Sequence, residues 1–500
     1  MPDRISNRHE SDLGGRLLPF GDTSQAEVTV AIDACGAGLA SVQHTAWMLI
    51  NLLLRQDGIV RRLHLICPQA IPLAGRVIPL ARRNVDLRTA LLEGGAAIGV
   101  VPIDDRPDPH WTIGIGADAG KGPIRANLYV YGNGWCGGIS QVPLPLSALG
   151  APSSLPFGPY DAACIAAGEV FKAARMRSEM CTAVTAAFYS LWYHRVSTAP
   201  LVGGPVRVEI AVDAALAGVG AVGSAFLHNL WACDSIQGRI VLTDNDEKGL
   251  ESTNLNRYVL FGLQSIGLAK ATAAARILSD APISWQAHDG GIELLSTLPP
   301  RVISAVDSNT SRNAIQNRYP ARILSASTLD LRAEVLRCGP PGKGACLRCY
   351  NPPETVPADD ELRERLRLAG DDAIAEAAKS AGISVDDANE WLRAGKCGLA
   401  GERLLPLLRS SDNPAAFAVG FVSVKAGTML AAEFFKDHCA SAGPLSESAQ
   451  RATFQFHVPV AATNRASAFA RDPQCPMCDP KTTACSFWAR RYEQLRPQRP

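Results

Sequence analysis

Residues 216–270 read LAGVGAVGSAFLHNLWACDSIQGRIVLTDNDEKGLESTNLNRYVLFGLQSIGLAK, and this stretch decides the fold. Three glycines stand between a short apolar run and a helical pattern, at Gly218, Gly220 and Gly223. A second strand-like run ends on Asp244, 21 residues beyond the last glycine. In a βαβ nucleotide site such glycines let the backbone approach the ligand closely, and such a carboxylate binds the ribose. The stretch therefore predicts a βαβ nucleotide site.

The side chains after the second strand change the nucleotide that we expect. Asn254, Arg257 and Lys270 add polar and cationic groups where a dehydrogenase that binds NAD needs few. Arginine and lysine bind phosphate, and two such cations suit a ligand with more phosphate charge than a dinucleotide carries. The expected ligand is therefore ATP.

Composition limits the class of protein. A chain of 500 residues predicts two or three domains. A net charge of +1 gives no reason to expect nucleic acid or a membrane surface as a partner. The N-terminus lacks the apolar core of a signal peptide, and no window reaches the roughly eighteen apolar residues of a membrane span. Fourteen cysteines in so long a chain favour metal ligation and thiol chemistry in a reducing cytosol, so we expect a cytoplasmic protein.

The N-terminal half repeats the order of strand, glycine turn, helix and strand. An apolar run leads into CGAGLAS at 35–41, and a helical pattern and another strand-like run ending at Cys67 follow. Ser41 stands where the third glycine would be, and no ribose carboxylate follows Cys67. This half is predicted to share the fold with its nucleotide site eroded. The alternative is an ordinary βαβ unit whose glycines are incidental.

The expected fold class is α/β, with two Rossmann-like halves of which only the second is active. The joint between them is the Gly/Pro-rich stretch 200–205. A charged insertion interrupts the second half, with three expected helices at 359–368, 371–380 and 385–394. The predicted segments are an N-terminal tail at 1–26, an inactive domain at 27–200, an active domain at 201–351, a helical insertion at 352–400, and the rest of the active domain at 401–500.

Two CxxC pairs predict a metal site. They are Cys346 with Cys349, and Cys475 with Cys478. Four thiolates at this spacing suit tetrahedral zinc and leave no position open for catalysis, so we expect a structural ion that fastens the C-terminal segment to the body. A redox-active CxxC is the alternative, but two pairs in one domain favour zinc.

Asp307 follows a third strand-like run at 301–306. A carboxylate at the carboxyl edge of a parallel sheet faces the crevice where ligands bind, and its hard oxygen suits Mg²⁺. The alternative is an aspartate that caps the N-terminus of the next helix.

Together these motifs resemble the ubiquitin-activating enzyme superfamily, which includes the ThiF and MoeB sulfur-carrier adenylyltransferases. The resemblance covers about residues 205–480. It implies that Asn254, Arg257 and Lys270 bind the phosphates of ATP, that Asp244 binds the ribose, and that Asp307 positions Mg²⁺. The implied reaction is attack of a protein C-terminal carboxylate on the α-phosphate, with release of pyrophosphate.

Two departures from the family pattern concern this site. The family arginine is usually followed by glutamine, whereas Tyr258 follows Arg257. If Asp244, at the end of its strand, is aligned with the family's ribose carboxylate, the loop that leads to Asn254 is two residues longer than is usual in the family. If the alignment is instead anchored at Asn254 and extended toward the N-terminus, Asp246 takes the position of the ribose carboxylate. Both carboxylates therefore stay candidates for the ribose, and Asp244 is favoured.

The resemblance also implies a catalytic cysteine in enzymes of ubiquitin-like conjugation. Cys397 lies in the family's interval for it, between the first CxxC pair and a long helical pattern at 415–435. Lys396 would favour its thiolate, and neighbouring glycines would let the loop move. The alternative is a small buried cysteine. Cys338 and Cys439 are weaker candidates.

Architecture and size narrow the resemblance to bacterial activating enzymes of ubiquitin-like (Bil/Bub-type) antiphage operons. The implied partners are a ubiquitin-like protein with an exposed C-terminal tail and a conjugating enzyme that accepts the thioester. Arg4 or Arg8 could supply the arginine that reaches the γ-phosphate in the wider family, although a basic tail is the alternative for both. Two other functions stay open: a sulfur-carrier adenylyltransferase for thiamine or molybdopterin synthesis, and a scaffold that binds a ubiquitin-like protein without turnover.

Overall fold

The structure is a computed structural model, and it describes most of the chain from residue 26 to residue 495. The described residues are 26–99, 101–104, 111–175, 185–352, 359–394, 400, 403–404, 408, 419–439 and 450–495. They divide into two compact units, one of residues 1–352 with 417–500 and one of residues 353–416.

The larger unit contains two mixed sheets of eight strands each in its described part. The first sheet has the strand order β3-β2-β1-β4-β5-β6-β7-β8. Its strands are β1 Ala26–Ile32, β2 Val60–Ile66, β3 Ile103–Asp104, β4 Thr112–Ile115, β5 Leu128–Asn133, β6 Cys136–Ser140, β7 Ala186–Ser190 and β8 Arg195–Ser197. The first five strands pair in parallel and the last three join antiparallel.

The second sheet repeats this topology strand for strand, in the order β11-β10-β9-β12-β13-β14-β15-β16. Its strands are β9 Ile210–Ala217, β10 Ile236–Asp244, β11 Ile283–Asp289, β12 Arg301–Ser304, β13 Arg322–Leu329, β14 Arg332–Cys338, β15 Arg451–Gln455 and β16 Ala466–Ser467. Identical strand order in both halves confirms the predicted fold class of two Rossmann-like halves.

The helices of the larger unit cover the two sheets and pack between them. They are α1 Ala40–Leu54, α2 Leu87–Ile98, α3 Phe157–Arg175, α4 Ala221–Ala232, α5 Lys270–Ile277, α6 Asn309–Asn317, α7 Leu347–Tyr350, α11 Gly420–His438 and α12 Thr483–Glu493. Helices α1 and α11 are buried over nearly their whole length, because each carries apolar residues around most of its circumference.

The two sheets meet edge to edge. Arg195 of β8 forms an antiparallel bridge with Arg465, and the backbone N–H of Ala466 donates to the carbonyl of His194 at 3.3 Å. An exposed sheet edge carries unpaired N–H and C=O groups, so this pairing satisfies edge groups of both halves.

Buried charges also join the halves. Lys425 of α11 forms an ion pair with Asp161 of α3, and both side chains are fully buried. The Lys425 ammonium lies 3.8 Å from the ring centre of Tyr189 and 3.7 Å from that of Phe454. Burial raises the pKa of Asp161 to about 6. A buried pair with one partner removed is strongly destabilising, so these two helices depend on each other.

A cluster of buried aromatic and imidazole rings lies between α1, α3 and α4. The Trp47 indole N–H donates to Nε2 of His228 at 3.1 Å, and the ring of Tyr160 lies 5.8 Å from that of His44 and 5.1 Å from that of His228. Burial lowers the pKa of His44 to about 4 and that of His228 to about 3. Both imidazoles are therefore neutral in the folded protein at physiological pH.

We expect these histidines to make the folded protein sensitive to mild acid. In the unfolded chain they bind protons below about pH 6.5, whereas in the folded chain they stay neutral down to about pH 4, so the free energy of unfolding falls as the pH decreases through that window. The expected loss is about 2 kcal/mol per histidine at pH 5. Urea unfolding of the wild type and of a His44→Gln/His228→Gln variant at pH 7 and pH 5 measures it.

The double variant should show the weaker dependence of unfolding free energy on pH. Asp161 contributes a slope of opposite sign in both proteins, because its folded-state pKa is raised, and it cancels in the comparison. Equal slopes for wild type and variant would contradict the assignment of acid sensitivity to this cluster.

The smaller unit contains three described helices: α8 Asp359–Ala369, α9 Asp371–Ala381 and α10 Val385–Ala394. They match the three expected helices to within one residue, and they pack through an apolar cluster that includes Ile374, Ala378 and Trp391. Ser384 caps α10 by accepting the backbone N–H of Asp387 at 3.1 Å. The unit runs to residue 416, whereas the sequence placed the insertion at 352–400.

Within the described ranges, no helix has both the length and the apolarity of a membrane span.

Candidate nucleotide site

The glycine loop connects β9 to α4 and can be built only from glycines at two positions. Gly218 has a φ of 91°, and a Cβ on it would lie 2.7 Å from the carbonyl oxygen of Ala305. A Cβ on Gly223 would lie 2.0 Å from the carbonyl oxygen of Gly218. Larger residues would push the helix away from the strand, so these glycines bring the N-terminus of α4 to the carboxyl edge of the sheet.

Asp244 ends β10 and is bonded directly to the glycine loop. Its Oδ2 accepts the backbone N–H of Val219 at 2.7 Å, and its Oδ1 accepts that of Asp246 at 3.1 Å. Of the two carboxylates left open by the sequence, Asp244 is the one that contacts the loop. Its assignment to the ribose stays a prediction.

Lys270 is the first residue of α5 and is 7% exposed. Its ammonium forms an ion pair with Asp246 and lies 4.0 Å from Oδ1 of Asp244. Burial alone would lower the pKa of Lys270, but the hydrogen bond to Asp246 outweighs burial and raises this pKa. The same bond lowers the pKa of Asp246. The site therefore holds a cation beside two carboxylates at the carboxyl edge of the sheet.

Asn254 and Tyr258 shape the loop before α5. The Asn254 side chain is buried and its Oδ1 accepts the backbone N–H of Glu251 at 2.9 Å, which closes a capping box on the short 3-10 helix Ser252–Asn254. The Tyr258 ring lies 5.5 Å from the Arg257 guanidinium carbon and 5.6 Å from the Lys270 ammonium. A Cβ on Gly220 would lie 3.5 Å from the Tyr258 hydroxyl. The tyrosine that departs from the family pattern thus packs against both cations and the glycine loop.

Asp307 lies beyond β12, the strand next to β9, and is exposed. The backbone N–H of Ala305 donates to the carbonyl of Ala217 at 2.8 Å, so the two strands leave the sheet side by side. The alternative of Asp307 as a helix cap is wrong, because Ser308 caps α6 by accepting the N–H of Ser311 at 3.1 Å. Asp307 remains available to a ligand in the crevice, and its role with Mg²⁺ stays a prediction.

The loop of the first half that corresponds to the glycine loop is bound by the side chain of its own Asp33. Asp33 follows β1 directly, and its two oxygens accept the N–H groups of Cys35 at 2.9 Å and Ile124 at 3.0 Å. Gly36 is packed against Gly116, where a Cβ would lie 2.6 Å from the carbonyl oxygen. Strand β2 ends at Ile66 without a following carboxylate. This loop lacks the carboxylate that Asp244 supplies in the second half.

The two CxxC pairs come together in the fold. All four sulfur atoms lie within 4.8 Å of one another, and three of the S···S separations are 3.7, 3.6 and 3.4 Å. Zinc with Zn–S bonds of about 2.3 Å requires sulfurs about 3.8 Å apart, so the cluster fits a tetrahedral ion. It can be held by Cys346, Cys349, Cys475 and Cys478, and it joins segments 129 positions apart in sequence.

A model of the ThiF family matches residues 210–477, which is more than half of the chain and includes the glycine loop, Asp244, Lys270 and Asp307. The chain belongs to the ThiF family. This membership confirms the resemblance to the wider superfamily that contains ThiF and MoeB.

Individual relatives of this ThiF-family chain are distant. The uncharacterized protein y4jF of Sinorhizobium fredii (strain NBRC 101917 / NGR234) is 26% identical over 346 residues, which are 67% of this chain and 62% of that protein. The structure of E. coli MccB with MccA-N7isoASN has 22% identity and a TM-score of 0.36, and covers 53% of this chain and 66% of its own. MccB with ATP has 20% identity and a TM-score of 0.35, with shares of 53% and 65%. The chain spans less than two thirds of the length of each.

Four predicted residues of this ThiF-family chain lie outside the part that the structure describes: Cys397, Lys396, Arg4 and Arg8. The two weaker cysteine candidates are described. Cys338 is fully buried, and burial raises the pKa of its thiol well above the usual range. Cys439 is half-buried, and burial raises its pKa as well. Neither thiol has the lowered pKa of a nucleophilic cysteine.

Two side chains of the first half that reach this site carry no sequence motif of their own. Asn51 of α1 and Arg55, directly after α1, are fully buried and donate to backbone carbonyls in the segment after Asn254. The available signal was a pair of polar residues four positions apart, Asn51 inside the apolar run 46–54 and Arg55 directly after it. Such a pair on a buried helix needs polar partners elsewhere in the fold.

Proposed function

We propose that this chain uses ATP to adenylate the C-terminal carboxylate of a protein or peptide. The observation that carries the proposal is the site at the switch point between β9 and β12, where the glycine loop, Asp244 and Lys270 converge. In an open α/β sheet, ligands bind at this point, outside the carboxyl ends of the strands. Membership of the ThiF family supports the same reaction class.

The chemistry brings two anions together. An oxygen of the substrate carboxylate forms a bond to the α-phosphorus, the bond from that phosphorus to the bridging oxygen breaks, and pyrophosphate leaves with the electron pair. The carboxylate is already ionised at neutral pH, so no general base is needed. The main requirement is stabilisation of the charge that develops on phosphate oxygens, which fixed cations provide.

The residues of the site fit this requirement. Lys270 and Arg257 would contact phosphate oxygens, and the amide groups at the start of α4 would add their dipoles. Asp244 would hold the ribose. The exposed Asp307 carboxylate offers the hard oxygen ligand that Mg²⁺ prefers, and that ion would neutralise phosphate charge when bound.

We further propose that the substrate is a ubiquitin-like protein and that the acyl adenylate is passed to Cys397 as a thioester. The thiolate would attack the acyl carbon and AMP would leave, and a conjugating enzyme would then accept the acyl group. The position of Cys397 beyond the three helices of the smaller unit supports this step. The architecture, with two Rossmann-like halves and a helical insertion, supports a place among activating enzymes of antiphage operons.

ATP–pyrophosphate exchange tests the adenylation. With Mg²⁺ and a ubiquitin-like protein that ends in a free carboxylate, we expect exchange that disappears when that C-terminal carboxylate is amidated. Asp307→Ala should abolish it. Asp213→Ala is the matched control, because Asp213 lies within β9 and pairs with Arg239 on the surface. Exchange retained by Asp307→Ala would refute the magnesium role, and no exchange or ATP binding by the wild type would favour a scaffold.

The same mixture on a non-reducing gel tests the thioester. We expect an adduct that thiols remove, present in the wild type and in Cys439→Ala but absent in Cys397→Ala. An adduct formed by Cys397→Ala would refute the cysteine assignment. Exchange with no adduct in the wild type would support a sulfur-carrier adenylyltransferase.

A further inference from the structure

Arg55 directly follows α1 of the first half, and its side chain is fully buried. Its Nη1 donates to the carbonyl of Leu255 at 2.6 Å, and its Nη2 donates to the carbonyl of Phe261 at 2.7 Å. A weaker contact runs from Nη2 to the carbonyl of Val259 at 3.4 Å. One guanidinium thus binds three carbonyls of a single segment in the other half.

Asn51, one turn earlier in α1, completes this arrangement. Its Oδ1 accepts from Nε of Arg55 at 2.6 Å, and its Nδ2 donates to the carbonyl of Val259 at 2.9 Å. The amide therefore orients the guanidinium and also binds the segment itself. Both side chains are fully buried, so water does not compete for these bonds.

The segment held in this way is 255–261, and it contains Arg257 and Tyr258. Its first and last residues, Leu255 and Phe261, are the two that bind Arg55 most closely. Arg55 consequently fixes the distance between the ends of the turn that presents Arg257. Arginine suits this task because its planar fork binds two acceptors in a fixed geometry.

The charge of Arg55 is balanced by carbonyl dipoles. In the described part of the chain, no carboxylate lies within salt-bridge distance of it. Burial lowers its pKa to about 9, which leaves it protonated at neutral pH. Removing the side chain would leave buried carbonyls without donors, and the segment would have to move to satisfy them.

We propose that Arg55 is a positioning residue for nucleotide binding, through which the first half holds the phosphate-contacting segment of the second half in place. The inference rests on the proposed function, because it assumes that Arg257 and its neighbours contact ATP. It assigns the first half a part in the site although its own glycine loop lacks the ribose carboxylate.

The test compares Arg55→Ala with Arg76→Ala. Arg76 also reaches from the first half to two carbonyls of the second, those of Trp231 at 2.5 Å and Cys233 at 2.6 Å, but these lie at the end of α4 away from the segment. We expect Arg55→Ala to bind a fluorescent ATP analogue on the order of ten- to a hundredfold more weakly. Arg76→Ala should bind it as the wild type does.

Hydrogen–deuterium exchange and chemical rescue separate positioning from general damage. Exchange of the amides in 255–261 should rise in Arg55→Ala and not in Arg76→Ala, and added guanidinium at low millimolar concentration should restore ATP affinity to the former alone. If Arg55→Ala does not fold, Arg55→Lys replaces it, since lysine keeps the charge but lacks the planar fork that bridges Leu255 and Phe261.

The outcomes distinguish the two proposals. A wild type that binds no ATP refutes the proposed function, whatever the variants do. A wild type that binds ATP, together with an Arg55 variant of equal affinity and unchanged amide exchange, refutes the positioning role alone. Weaker binding in both the Arg55 and Arg76 variants, without rescue by guanidinium, also refutes it, because it reveals a loss of packing between the halves.

Discussion

Replacing Lys270 by alanine is expected to lower the rate of ATP–pyrophosphate exchange by about 10²- to 10³-fold. The Lys270 ammonium is almost buried and lies at the carboxyl edge of the sheet, beside the carboxylates of Asp244 and Asp246. A cation in such a place acts in a low dielectric, where it stabilises developing phosphate charge far more than an exposed one would. The loss should therefore affect the rate of the chemical step as well as ATP affinity.

Lys248→Ala is the matched control, since it removes the same charge from an exposed position two residues after Asp246. Asp246→Asn provides a second comparison, because it breaks the ion pair and keeps the lysine. We expect near wild-type exchange for Lys248→Ala. A Lys270→Ala enzyme within twofold of the wild type would show that the ammonium serves only to pair with Asp246.

Removing the metal is expected to destabilise the larger unit by more than about 4 kcal/mol. The four thiolates join the segment around α7 to the segment before α12, and a clip that closes so long a loop restricts the unfolded chain strongly. Each sulfur left without metal would remain in a mostly buried cluster. Zinc content by mass spectrometry, and thermal unfolding before and after chelation, measure the effect.

Cys478→Ser should reproduce the loss, while Cys485→Ser should not. Cys485 is a buried cysteine of α12 in the same segment and is outside the cluster of four. The C-terminal segment retains other contacts, such as the bond from the Trp488 indole to the carbonyl of Pro320 at 2.9 Å. We therefore expect proteolysis to cut near Cys475 first. A chelated protein with unchanged melting temperature and one equivalent of zinc lost would contradict the structural role.

The parts of the fold that the sequence predicted are those with local signals. The glycines at 218, 220 and 223 indicate a tight turn between strand and helix. Two CxxC pairs that are distant in sequence can bind one metal ion together. The antiparallel pair of β14 and β15 has no such signal, because β15 pairs with β14 across the inserted unit and α11. Sheet pairing over that distance depends on the whole fold.

The site shows the same division. The positions of Asp244 and Asp307 near strand ends could be predicted from the expected topology. The hydrogen-bond partners of the adjacent residues Asp246 and Ser308 could not. Ser308, one residue further on, caps the helix that Asp307 could have capped, and Asp246 pairs with a lysine 24 residues away. The bonds of Arg55 cross 200 positions and join two halves. Such pairs can be found only once the halves are placed against each other.

The repeated topology has a consequence for the symmetry of the molecule. In a symmetric dimer every substitution appears twice, so a change that spoils one nucleotide site spoils its mate. Here both copies of the sheet belong to a single polypeptide, and each can change by itself. The first copy has Cys67 and Pro68 after its second strand, where the second copy has Asp244, yet its Arg55 binds the backbone of the other copy. Such a chain is asymmetric by construction, and under the proposed function we expect it to bind one nucleotide for each pair of sheets.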